Sequence, residues 1–228
     1  MASIPRMFSE SPLESRRLLS SRWVYRTLRE VYLENGHTVL KRFVHHPGRR
    51  DLRRVWARED RALRRLAGLP VPASYGFVAG RCADGPEILL RKEYIPGTPL
   101  QVPTERDAMD VGHLLGLIHE RAVAIGDPAM ENFVRTQAGE LYAIDFGRAR
   151  TFIYRTPYFH FYAGKDMARV FRTAILGRTD LWPAFQQAYF QQFRPSPLLC
   201  ALARGATRFW LWRWRHRPIR PTVETRKS

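Results

Sequence analysis

The chain has 228 residues, 45% of them hydrophobic and 12% aromatic, which supports a packed core of one large or two small domains and excludes a mostly disordered chain. Lys and Arg number 38 against 21 Asp and Glu, a formal net charge of +17, and only four of the basic residues are lysines (Lys41, Lys92, Lys165, Lys227). That balance disfavours a cationic substrate and favours an anionic partner: nucleic acid, a phosphorylated glycan or an acidic membrane surface. A solubility surface rich in arginine is the plainer alternative. Cys82 and Cys200 are isolated, with neither metal-ligand spacing nor a disulfide framework, which points to a reducing compartment. Met1 to Arg22 lacks the apolar stretch of a secretory signal, and no run approaches a membrane span, so the expectation is a cytoplasmic chain, soluble or peripheral on a membrane.

In chain order, residues 23–34 mix aromatic and β-branched side chains and lead into Asn35-Gly36, a type I′ hairpin signal. Thr38 to Val44 reads as the returning strand, with Val39, Lys41 and Phe43 on one face. Residues 51–67 read as a helix whose stripe is Leu52, Val55, Trp56, Leu63 and Leu66, closed by Gly68 and Pro70. Residues 75–79 and 87–95 read as strands, and Pro96-Gly97 as a turn. A second helix spans 105–122, with Ala108, Val111, Leu115, Ile118 and Ala122 on one side. Short strands follow at Phe133–Arg135 and Leu141–Ile144, then helices over roughly 165–177, 181–193 and 197–214. Strands before residue 95 and helices after 105 predict an α+β fold with a small antiparallel β lobe carrying one helix, followed by a mainly helical lobe.

Four polar features stand out from this pattern. Lys41 lies between two apolar neighbours on a strand face. Glu59 falls on the apolar stripe of the following helix, where a carboxylate needs a partner, and Lys41 is a natural one. An edge position, paired with nearby arginines, is the alternative for Glu59. Asp127 and Asn132 sit five residues apart in the loop Ile125-Gly126-Asp127-Pro128-Ala129-Met130-Glu131-Asn132. An acid and an amide so placed suit phosphoryl transfer, the acid accepting a hydroxyl proton and the amide holding a divalent metal. Asp145 ends a strand in Ile144-Asp145-Phe146-Gly147, where it can bind Mg²⁺ bridging ATP phosphates.

This ordered set resembles the protein-kinase-like fold over about residues 23–177. The resemblance implies that Lys41, in Val39-Leu40-Lys41, contacts the α/β-phosphates with Glu59 as its helix partner. It further implies that Asp127 is the catalytic base and that Asn132 and Asp145 are the metal ligands, with ATP and Mg²⁺ as cofactors. Gly126-Asp127, preceded by Leu114-Leu115-Gly116-Leu117-Ile118-His119, is similar to the Gly-Asp loops of RIO-type kinases, aminoglycoside phosphotransferases and lipopolysaccharide core (Kdo/heptose) kinases. Lys165-Asp166-Met167-Ala168-Arg169 looks like a helix start in the last group, where Asp166 would brace the catalytic loop; a plain helix N-terminal acid is the alternative. The chain departs from the pattern in three ways. No glycine precedes Gly36, so a Gly-rich loop between the first two strands is missing. Ile125 stands where the catalytic loop has His, and no Ala-Pro-Glu element follows. The division expected from the resemblance is one kinase-like domain over 1–228, with an N-lobe at 20–95, a C-lobe at 96–197 and a basic tail at 198–228.

Phe209-Trp210-Leu211-Trp212-Arg213-Trp214-Arg215-His216-Arg217 holds three of the six tryptophans. Trp with Arg suits a membrane interface carrying anionic lipid, and could also stack on nucleic-acid bases; packing on the helical lobe is the plain alternative. The histidines, His45-His46 included, show no metal spacing, and Arg49, Arg50, Arg53 and Arg54 read as a solvated basic helix start. The function expected is an ATP-dependent phosphotransferase acting on a sugar hydroxyl of lipopolysaccharide inner core or a related anionic glycolipid. It would work at the cytoplasmic face of the inner membrane, with the 204–217 tail as a possible membrane contact and nucleic acid a less favoured partner. The rivals are a RIO-like protein serine/threonine kinase and a catalytically inactive membrane- or RNA-binding module.

Overall fold

The structure, a computed structural model, describes residues 16–24, 27–45, 54–83, 85–175 and 178–215. Asn35 and Gly36 both take left-handed backbone angles, φ 54° and 75°, the values that a type I′ turn requires. They join β2 (Thr27–Glu34) to β3 (Thr38–His45), but the ladder closes at Glu34–Thr38, so His37 adds a third loop residue. β1 (Arg16–Val24) pairs antiparallel with β2 and begins upstream of the first strand expected from sequence. With β4 (Ser74–Cys82) and β5 (Gly85–Glu93) these strands form a five-stranded sheet in the order β1-β2-β3-β5-β4. Ion pairs run across it. Glu34 accepts from Arg16 of β1 at 2.9 Å and from Arg91 of β5 at 3.0 Å, while Arg42 of β3 reaches Glu30 at 2.9 Å and Glu87 at 2.7 Å.

The chain divides into two units, residues 1–52 with 75–94, and residues 53–74 with 95–228. The first is the sheet unit. α1 (Val55–Arg65) belongs to the second, although in sequence it lies inside the stretch 20–95 expected to form one lobe. Its stripe explains this: Ala62, Leu63 and Leu66 join a core with Val111, Leu115, Ile118, Phe133 and Phe146. In that unit α2 (Glu105–Glu120) begins with a capping box, in which the Thr104 hydroxyl accepts from the Asp107 N–H and the Asp107 carboxylate accepts from the Thr104 N–H. α2 lies tightly on α4 (Trp182–Gln192), because a β-carbon on Gly112 would collide with the Phe185 carbonyl. Two small ladders complete the unit. β6 (Thr98–Pro99), β8 (Phe133–Arg135) and β9 (Leu141–Ala143) form one, and β7 (Val123–Ala124) pairs with β10 (Arg150–Thr151) in the other.

α3 corrects an expectation. It spans Pro157–Val170 and passes into a π-helical turn at Phe171–Ile175, so it starts eight residues before the helix expected at 165. The start signal is Thr156-Pro157: the Thr156 hydroxyl accepts from the Phe159 N–H, and proline suits the first helical turn. Lys165 and Asp166 therefore lie inside the helix, which rules out a helix start there and a plain N-terminal acid at Asp166. α5 (Pro197–Trp214) matches its expected span. The architecture is α+β, an N-terminal antiparallel sheet followed by helices. Among the described residues no helix is long and apolar enough to cross a membrane. His46, Arg49, Arg50, Leu52, Arg53, His216 and Arg217, named above, lie outside the described residues.

Candidate functional site

The loop carrying Asp127 leaves β7, and the segment carrying Asp145 enters β10, so the short β7–β10 ladder (Ala124 opposite Arg150, Val123 opposite Thr151) sets the two side by side. A second tie lies at their other ends. The Ile144 N–H donates to the Asn132 carbonyl at 2.9 Å, directly after the Phe133–Ala143 pair of β8 and β9. Gly126 takes φ 83° and packs against the Arg148 carbonyl, where a β-carbon would collide. Glycine is needed at this position on both counts.

Asp166, fully buried on α3, accepts from the Ile125 N–H at 2.6 Å and from the Gly126 N–H at 2.9 Å. Buried backbone N–H groups need such partners, and a carboxylate is a strong one. The carboxylate also lies 3.3 Å from His119 Nε2, and His119 Nδ1 meets the Tyr189 hydroxyl at 2.7 Å, which forms a buried chain across α2, α3 and α4. Burial, with Asp166 nearby, pushes the Tyr189 hydroxyl well above its ordinary pKa, so it stays protonated in this chain.

Asp127 lies half-buried between two arginines. Arg169 Nε reaches Oδ1 at 2.7 Å, and the more exposed Arg148 reaches Oδ2 at 3.0 Å. Asn132 donates its side-chain N–H to the Asp127 carbonyl at 2.9 Å, which leaves Oδ1 as the acceptor end of its amide. One Asp145 oxygen accepts from the Gly147 N–H at 3.1 Å. Glu59 of α1 is fully buried rather than edge-exposed, and a β-carbon on Gly147 would lie 3.6 Å from its Oε2 and 3.4 Å from Asp145 Oδ1. Five residues of the expected set, Glu59, Asp127, Asn132, Asp145 and Asp166, thus belong to the second unit and gather around two adjoining segments. Lys41 belongs to the sheet unit, on β3 opposite Leu90 of β5.

Three residues escaped the sequence reading. Arg169 is one turn from Asp166 on α3, so spacing alone puts both on the face turned to the loop. Arg148 follows Gly147 directly. Lys92 lies opposite Val39, hence on the same sheet face as Lys41 and one diagonal step away, and only 4% of it is exposed. Its burial had no periodic signal, because Arg91 and Glu93 flank it. Lys165 donates to the Gly126 carbonyl at 3.5 Å, and burial pulls its ammonium below the usual lysine pKa.

Beside this cluster Arg58, Arg61 and Arg150 line a cavity of about 210 Å³ with Ala149, Thr151 and Phe152. Arg150 is held in place over the Tyr162 ring, 4.4 Å from its centroid. No protein-family model matches the chain, and no curated protein matches it. Among the described residues no group of three His, Cys, Asp or Glu side chains could hold a metal alone.

Proposed function

We propose that the protein is an ATP-dependent phosphotransferase of protein-kinase-like architecture that phosphorylates a sugar hydroxyl on an anionic glycolipid such as lipopolysaccharide inner core. The observation carrying this reading is the convergence of Asp127, Asn132 and Asp145 on two segments tied at both ends, one by the β7–β10 ladder and one by the Asn132–Ile144 bond. The donors fit Mg²⁺, a hard cation that takes one or two carboxylates and completes its shell with phosphate oxygens and water rather than an all-protein cage. Asp145 and the Asn132 amide oxygen would hold it, and its charge would offset that of the β- and γ-phosphates. Lys41 would position the α/β-phosphates.

Asp127 would orient the acceptor hydroxyl and take its proton as the oxygen bonds to the γ-phosphorus and the bond to the β-phosphate oxygen breaks, releasing ADP. Arg169 and Arg148 fix this carboxylate in place, so its main contribution is alignment, which is where most of the rate gain of phosphoryl transfer arises. Asp166 keeps the loop in the shape that presents Asp127. The arginine-lined cavity supports an acceptor already bearing negative charge.

Label from γ-labelled ATP should appear in core glycolipid, and Asp127→Ala and Asp145→Asn should each lower the rate by about 10²-fold or more. Label only in protein would favour the protein-kinase rival. Unchanged label transfer by both variants would overturn the assignment of the site.

A further inference from the structure

α5 presents two unlike faces. Ala203, Ala206 and Thr207 are buried, and Trp210 and Trp214 half-buried. This face lies so close to α3 that a β-carbon on Gly164 would collide with the Ala203 carbonyl, and the Thr207 hydroxyl points at the Met167 sulfur, 3.9 Å away. Trp210 packs on Phe161 with ring centroids 5.5 Å apart. Part of the aromatic tail is therefore ordinary helix packing.

The opposite side is not. Leu198, Leu202, Phe209 and Trp212 are 80%, 37%, 42% and 59% exposed. With Gly205 they recur at spacings of four, three, four and three, which on a helix draws one narrow stripe. Arg204, Arg208, Arg213 and Arg215 are all exposed and flank it, and the helix contains no acidic residue.

We infer that this stripe is a lipid-contact surface, with α5 lying in the plane of an anionic membrane, its leucines and aromatics in the headgroup–acyl boundary and its arginines on lipid phosphates. A tryptophan ring settles at headgroup depth, and arginine pairs with phosphate through two parallel hydrogen bonds. The charge selects this occupant. A second copy would bring like-charged arginines together, whereas an anionic bilayer neutralises them.

α3 links this surface to the cluster around Asp127. It packs on α5 through Gly164, and its Asp166 and Arg169 grip the loop that carries Asp127. Lys165 lies between them, 5.6 Å from the Trp210 ring and 3.5 Å from the Gly126 carbonyl. Resting on the phosphotransferase reading, this connection places the reacting loop one helix away from the bilayer that would hold a glycolipid acceptor.

The test uses the full chain without ATP, so that binding and phosphotransfer fail separately. Co-sedimentation with phosphatidylcholine vesicles, with and without phosphatidylglycerol, is compared for wild type, Phe209→Ala/Trp212→Ala and Ile153→Ala/Tyr154→Ala. The last pair removes apolar groups elsewhere that are more exposed still. Expected are binding to phosphatidylglycerol vesicles alone, an accompanying blue shift of tryptophan emission, and an affinity about tenfold lower for the Phe209/Trp212 variant only. Circular dichroism should be unchanged, since both side chains are exposed. Equal binding by the two variants would overturn the inference. So would absence of vesicle binding together with a concentration-dependent dimer that Phe209→Ala/Trp212→Ala abolishes.

Discussion

At the scale of single residues the decisive group is Asp166. A carboxylate with no exposed surface persists because two backbone N–H groups of the Asp127 loop and His119 surround it. Removing it strands those N–H groups, each costing the desolvation of an unmade bond. Asp166→Ala should therefore cost about 3 kcal/mol or more, and Asp166→Asn less, because the amide oxygen still accepts one bond. Urea denaturation followed by circular dichroism measures both, and an Asp166→Ala variant of wild-type stability would show that the bracing is idle. The sequence alone left Asp166 open between brace and helix-end acid. Its role became legible once α3 was seen to begin at Pro157, a start marked by Thr156-Pro157 that the helical pattern at 165–177 obscured. Asp127 tells the converse story: its place in the loop was readable, its two arginines were not. A guanidinium reaches far from its Cα, and which of 38 basic residues closes on one carboxylate is settled only by folding.

At the scale of elements, the five-stranded sheet joins its strands by ion pairs as well as by apolar packing. Burial raises the Glu34 pKa, but Arg91 and Arg16 outweigh it and hold the carboxyl below its ordinary value of 4.5. A carboxyl with a depressed folded pKa stabilises the fold at pH above its unfolded value, and that contribution fades as the pH falls through the folded value. The chain should thus lose stability below about pH 4.5 more steeply in wild type than in Glu34→Gln, as urea midpoints across an acid series would record. Parallel curves for the two proteins would remove Glu34 from the acid response. Hairpin, helix stripes and the two short strands around residue 138 were legible because period and turn chemistry are local. The returning strand begins at Thr38, as its sequence reading has it, which leaves His37 as a third loop residue after the Asn35-Gly36 turn.

At the scale of the whole molecule the net charge of +17 acts through its distribution. At about 0.1 M salt exposed charges reach roughly 10 Å, so a diffuse basic surface attracts any polyanion without a dedicated groove. Retention on immobilised heparin should fall steeply with salt. Neutralising Arg58 and Arg61 on α1, or Arg204 and Arg208 on α5, should weaken it to a similar extent. A loss confined to one pair would locate a specific polyanion site and strengthen the nucleic-acid reading. Vesicle binding, in contrast, should respond to α5 alone.

The sequence by itself determined the α+β order, the helix stripes, the Asn35-Gly36 turn and the order in which Lys41, Glu59, Asp127, Asn132 and Asp145 occur, since each rests on neighbours within a few positions. The tertiary structure decided what depends on distant segments. It drew α1 into the second unit's core and put Asp166 in the middle of a helix against the Asp127 loop. It also set Arg148 and Arg169 on Asp127, and sorted the aromatic tail into a packed face and an exposed one. The reason is physical: periodicity and turn propensity are carried by adjacent residues, whereas burial, ion pairing and close helix contact arise only when segments far apart in the chain compete for the same space.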